Sequence, residues 1–123
     1  MNVVDSSGWL EVFTDGENAE RYLPYLRDPD ELVVPTICIY EVTKVVLRER
    51  GEDDAIQAAA AMQRGTIADL TLGIATAAPK LSLRHGLPLA DSIILATARA
   101  YSAEIWTQDA DFEGIEGVTV LHK

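Results

Sequence analysis

Four acidic residues stand where metal ligands would be useful. Asp5 ends the strand-like run "NVVD", and Glu41 lies early in the helix-forming run that follows "LVVP". Asp91 lies early in "LPLADSIILATARA", and Asp109 comes two residues after "EIWT". Asp111 follows at once, either as a turn acid or as a fifth ligand. Carboxylates gathered in one partly buried site repel one another, and without a partner their pKa values rise. The usual remedy is a divalent cation with oxygen ligands, Mg²⁺ or Mn²⁺. Together the five acids carry half of the net charge of −10. Their spacing permits a shared site without establishing one.

Each acid also has a plainer reading. Asp5 and Asp91 both suit a helix N-cap. Glu41 could pair with Lys44 three residues on, along a solvated face, and Asp109 suits a turn. Asp91 is the sharpest case. On an ideal helix it shares a face with Ile94, Leu95 and Ala98, which draws the carboxylate inward, and Ser92 could take over the capping role.

Other chemistries lack their residues. The chain has one cysteine, Cys38, and two histidines, His85 and His122, so an internal disulfide and a cysteine-based zinc site are excluded. No protein nucleophile is evident, and Cys38 reads as core. The negative balance argues against a duplex binder with a broad basic face. Arg48, Arg50, Lys80, Arg84 and Arg99 remain as candidates for local contacts with an anionic partner, each with the alternative of a solvated surface charge.

The elements that must position these residues alternate in kind. Strand-like runs are expected at 2–5, 32–35, 66–70, 103–107 and 118–122. Helices are expected in "SSGWLEVFTDG", with Ser6 or Ser7 as possible caps, over 17–30 with an interruption at Pro24, over 36–51, 53–65 and 71–86, and from 87 to about 101. Pro79 should kink the fifth of these. Segment 108–117 reads as turns. Such alternation predicts an α/β fold with a parallel sheet of about five strands and helices on both faces, where ligands bind beyond the carboxyl ends of the strands. With 123 residues, 48% of them hydrophobic, a single domain over 1–123 is expected. No apolar run is long enough for a membrane span. The N-terminus lacks the basic segment of a signal peptide, so the expected setting is cytoplasmic.

The segments "VVDSSGWLEVF", "PTICIYEV", "HGLPLADSIILATARA" and "IWTQDADFEGIEGVTVL", in that order and spacing, resemble a PIN domain, and more narrowly the VapC-type toxins of toxin–antitoxin modules. The resemblance covers essentially the whole chain. It implies a three-layer PIN-like fold with strand order 3-2-1-4-5, a Mg²⁺- or Mn²⁺-dependent endoribonuclease, a homodimer, and a small VapB-type antitoxin that enters the acidic groove. Carried over by position, Asp5, Glu41, Asp91 and Asp109 are the implied catalytic and metal-binding acids, with Asp111 as a further ligand. Ser6 and Thr107 are the implied supporting hydroxyls. Two rivals stay open. One is a PIN fold that only binds partners. The other is a phosphorylation-controlled receiver domain, although "NVVDSSG" offers one acid where such domains have a pair.

Overall fold

The computed structural model describes residues 1–123. Five short strands alternate with six helices: β1 (Asn2–Val4), α1 (Ser6–Phe13), α2 (Ala19–Leu26), β2 (Val33–Pro35), α3 (Thr36–Arg50), α4 (Glu52–Met62), β3 (Thr66–Ala68), α5 (Leu72–His85), α6 (Leu89–Ala100), β4 (Glu104–Thr107) and β5 (Val118–Val120). Single 3₁₀ turns occupy Pro29–Glu31 and Ala110–Phe112. The second of these orders part of the segment expected to be only turns. The architecture is the expected three-layer α/β arrangement.

Every strand pair is parallel. One ladder runs β1-β4-β5 and another β2-β3. A single bridge, Asn2 to Leu32, joins them and gives the order 3-2-1-4-5. The strands are shorter than expected. Asp5 leaves the strand at its end, yet its N–H still donates to the Trp106 carbonyl at 3.0 Å, so the β1–β4 pairing reaches the first acid.

Twenty-seven buried residues form the core, with Val3, Val4, Val33, Val34 and Ile105 from the sheet among them. Helix α3 contributes Cys38, Val42 and Val46, spaced four residues apart on one face. Helix α6 is buried at all eight positions from Asp91 to Ala98, which makes it the central helix. Helix α1 approaches α2 closely because Gly8 has no side chain. A Cβ there would lie 2.6 Å from the Tyr22 ring and 2.7 Å from Val4.

Contrary to expectation, Pro24 does not interrupt its helix. Helix α2 continues through Pro24, and α5 runs unbroken from Leu72 to His85 through Pro79. The missing N–H costs one hydrogen bond. Burial of Ile74, Ala78 and Leu81 and the Thr71 N-cap, whose hydroxyl accepts from Ile74 N–H at 3.2 Å, hold α5 together. Gly86 then ends α5 in the left-handed region at φ 66°, and the chain enters α6 without an intervening strand.

No helix is long and apolar enough to cross a membrane.

Candidate active site

Asp5 follows β1, Glu41 lies in the second turn of α3, Asp91 lies in the first turn of α6, and Asp109 and Asp111 follow β4. Carboxylate oxygens of Asp91, Asp109 and Asp111 lie within 4.8 Å of one another, a separation one cation can bridge. Asp5 and Glu41 are not in that tightest group. They are near enough for their charges to act on Asp91.

Burial is unequal. Asp5 is 3% exposed and Asp91 9% exposed. Glu41 and Asp109 are half-buried, and Asp111 is exposed. Burial lifts the Asp91 carboxyl to about 7, and the charges of Asp5, Asp109, Glu41 and Asp111 add to the rise. Burial also raises Asp5, against the lowering effect of hydrogen bonds from Thr107 and Ser7. Glu41 rises by burial too, offset by Ser6 and reinforced by Asp5 and Asp109. In all three, burial is the main cause and neighbouring carboxylates add to it.

Three of the four plainer readings fail on geometry. Asp5 occupies the N-cap position of α1, but its side chain makes no capping bond. Neither Ser6 nor Ser7 caps that helix. The N-cap of α6 is Pro88, so Asp91 is already inside the helix. Ser92 does not cap it either, because its hydroxyl donates back to the Leu89 carbonyl at 2.8 Å. Glu41 makes no ion pair with Lys44, whose ammonium sits 5.6 Å from the Tyr40 ring centre. Asp109 does serve its turn, since Asp109 Oδ1 accepts from Asp111 N–H at 2.9 Å.

The hydroxyls divide the work differently from expectation. Ser6 donates to Glu41 Oε1 at 2.8 Å rather than to its neighbour Asp5. Ser7 donates to Asp5 Oδ2 at 2.9 Å, and fully buried Thr107 donates to the same oxygen at 2.8 Å. Thr107 Oγ1 also accepts from Asp109 N–H at 3.0 Å, which couples the acids after β1 and β4 through one hydroxyl. Ser7 was read only as a possible cap. Its place two residues after Asp5 is the one signal that could have marked it.

A second polar network, missed in the sequence, fixes the loop that carries Asp109. Gln108 Oε1 accepts from Asn18 Nδ2 and from the Tyr22 hydroxyl, both at 3.3 Å, and Gln108 N–H donates to Ser7 Oγ at 3.2 Å. Buried Glu11 accepts from Asn18 N–H at 2.8 Å, which holds its carboxyl below the usual range. These residues are far apart in sequence and have no local pattern, so only the folded chain reveals them.

The donor set is all oxygen and anionic, which fits a hard divalent cation. Cys38 is fully buried, and burial pushes its thiol well above the ordinary value, so it is no nucleophile at this edge.

The fold matches known proteins. A toxin–antitoxin complex from Klebsiella pneumoniae superposes with a TM-score of 0.86 at 24% identity, over 100% of both chains. VapC20 from Mycobacterium tuberculosis, described as a Sarcin-Ricin loop cleaving toxin, gives 0.78 at 18% identity over 94% of this chain and 95% of that one. VapBC2 from Rickettsia felis, bound to a promoter DNA fragment, gives 0.74 at 15% identity over 98% and 97%. No curated protein matches by sequence. At these identities the structures establish the fold, and the sequence itself supplies the family: residues 3–118 match the PIN domain model, a span that includes all five acids, and the chain belongs to the PIN domain family.

Proposed function

We propose that this PIN domain is a metal-dependent endoribonuclease, the toxin of a two-component toxin–antitoxin module. The observation that carries the reading is the acidic cluster, in which Asp91, buried and raised to about 7, sits within 4.8 Å of Asp109 and Asp111. A buried acid with that perturbation and four acidic neighbours is a strong candidate for a functional site. The similar structures, described as a toxin–antitoxin complex and a Sarcin-Ricin loop cleaving toxin, support the same reading.

Asp91, Asp109 and Asp111 would hold Mg²⁺ or Mn²⁺ directly, with Asp5 and Glu41 completing the acid set. When bound, such an ion lowers the pKa of water and stabilises charge on the phosphoryl oxygens. The chain's own residues supply the rest. Thr107 and Ser7 orient Asp5 and favour its ionised form by donating to one of its oxygens. Ser6 does the same for Glu41. The Gln108 network fixes the loop and thereby the position of Asp109.

Partners follow from the same electrostatics. The acidic cleft suits a basic segment of an antitoxin, which would place guanidinium or ammonium groups where the cation belongs. Leu72, Leu83 and Leu89 stand 81%, 88% and 76% exposed on α5 and α6, apolar surface that a second copy would cover. A cytoplasmic homodimer held by an antitoxin is the proposed resting form.

The test is cleavage of structured RNA by purified protein in EDTA and in Mn²⁺. Cleavage is expected only with the ion, and Asp91→Asn should lower it by at least about 100-fold, in line with loss of a preorganised catalytic group. Equal cleavage under both conditions, or full activity in Asp91→Asn, overturns the reading.

A further inference from the structure

Of the ten Lys and Arg residues of this acidic chain, only Arg48 and Lys123 pair with a carboxylate, so Arg27, Lys44 and Arg64 also stand without one. Arg48 pairs with Glu49 at 3.4 Å, and Lys123 pairs with Glu11 at 3.4 Å. Arg50 donates to the Phe13 carbonyl, and Arg21 to the His122 carbonyl. Lys80 and Arg84 of α5 and Arg99 of α6 instead converge on one groove with no carboxylate within ion-pair distance. Arg99 makes one weak bond, to the Glu116 carbonyl at 3.3 Å.

The groove lies between α5 and α6, with a volume of about 580 Å³. Tyr101, 37% exposed, stands at its rim. Past Arg84 and Arg99 it continues into an opening of about 570 Å³ with no apolar lining. His85 lines that opening, and its Nε2 is buried without a hydrogen-bond partner. The opposing charge there is Glu116. Unpaired cations along a groove with an aromatic side chain at the edge are the physical requirements of a single-strand nucleic-acid site: phosphates meet the cations and a base stacks on the ring.

We propose that this groove is an exosite for the backbone of single-stranded RNA, separate from the acidic centre. The choice of RNA rests on the nuclease reading above. Arg99 follows Asp91 by eight residues on one helix, about 12 Å along its axis, or roughly four nucleotides at the ~3.4 Å rise of a stacked strand. The separation solves an electrostatic problem. Five clustered carboxylates repel a phosphate chain, so attraction must come from elsewhere on the surface. The groove supplies it and leaves the acidic centre for the scissile bond.

The experiment is fluorescence anisotropy of a 5′-labelled oligouridylate 12-mer with the full chain in EDTA, across a salt series. Replacing three phosphate-neutralising cations, Lys80→Gln, Arg84→Gln and Arg99→Gln together, should weaken binding tenfold or more at low salt. It should also reduce the slope of log K against log salt by about 2. Arg84→Lys with Arg99→Lys keeps the charge and should keep the slope. With Mn²⁺ present, the triple glutamine variant should raise KM for the 12-mer while leaving kcat within about twofold. Unchanged affinity and slope in a folded triple variant overturns the exosite. So does displacement of the label by polyglutamate at concentrations where unlabelled oligouridylate fails, which would assign the groove to an acidic peptide. Wild-type protein that binds RNA through these three residues yet cuts none in Mn²⁺ upholds the exosite and overturns the nuclease reading alone.

Discussion

At the scale of single residues, Thr107 carries more than its size suggests. One buried hydroxyl donates to Asp5 and accepts from the Asp109 N–H. Thr107→Val preserves shape but leaves that N–H without a partner and removes one of the two hydroxyls held on Asp5. A loss of roughly 1–3 kcal/mol is expected from the orphaned groups, measured by urea denaturation. Activity should fall as well, because the Asp5 carboxyl rises further when a hydrogen bond to its charged form is lost. A Val variant of wild-type stability and activity would show that the bridge is ornamental. The acids themselves were readable in the sequence, since each follows a strand-like run or opens a helix. The hydroxyl assignments were not. Ser6 and Ser7 are adjacent and chemically identical, and only the direction of the first turn of α1 sends one to Glu41 and the other to Asp5.

Among the elements, helix existence and order were legible from apolar periodicity. Pro24 was misleading because tertiary packing outweighs one missing hydrogen bond. Both α2 and α5 bury a face on neighbours, and that burial keeps the helix going. Strand lengths were also overestimated, as periodicity cannot tell where pairing stops when the flanking residues are themselves apolar. The contact between α1 and α2 is set by Gly8. Gly8→Ala puts a methyl against Tyr22 and Val4, and overpacking of that kind costs about 1–3 kcal/mol. Tyr22 also holds Gln108, so the same variant should weaken metal binding by displacing the Asp109 loop. Calorimetric titration with Mn²⁺ checks this, and unchanged affinity in a destabilised Gly8→Ala protein would separate packing from the site.

For the whole molecule, strand order excludes the receiver-domain rival. A flavodoxin-like sheet runs 2-1-3-4-5, whereas here β1 lies between β2 and β4. That order was implied by resemblance and not by periodicity, which is blind to which strands are neighbours. Charge at this scale sets the pH response. Asp91 titrates near 7 in the fold against an ordinary 3.8. The folded chain therefore keeps a proton that the unfolded chain has released, and stability falls as pH rises from about 4 to about 7, then levels. Asp5 and Glu41, also raised, act in the same direction. Glu11, lowered, opposes them only near and below its ordinary 4.5. Metal-free protein should thus melt at least about 4 °C lower at pH 7.5 than at pH 5. Mn²⁺ should recover the difference at pH 7.5, because it binds the ionised cluster of the native state. Scanning calorimetry in EDTA and in Mn²⁺ measures both, and a melting temperature that climbs from pH 5 to 7.5 without metal would contradict the assignment of Asp91.

The single bridge between Asn2 and Leu32 gives the sheet a seam, and the acids stand on both sides of it. Asp5 and Asp109 belong to the β1-β4-β5 half, Glu41 follows β2, and the Ser6–Glu41 hydrogen bond crosses between them. A cation held by the whole set would act as a rivet through a hinge line. Without it, the β2-β3 half is free to breathe against the rest. Amides of Val33–Pro35 and Thr66–Ala68 should then exchange with deuterium faster than those of β1 and β4, and Mn²⁺ should slow them selectively. Catalysis and mechanical closure of the sheet would then be two readings of one ion.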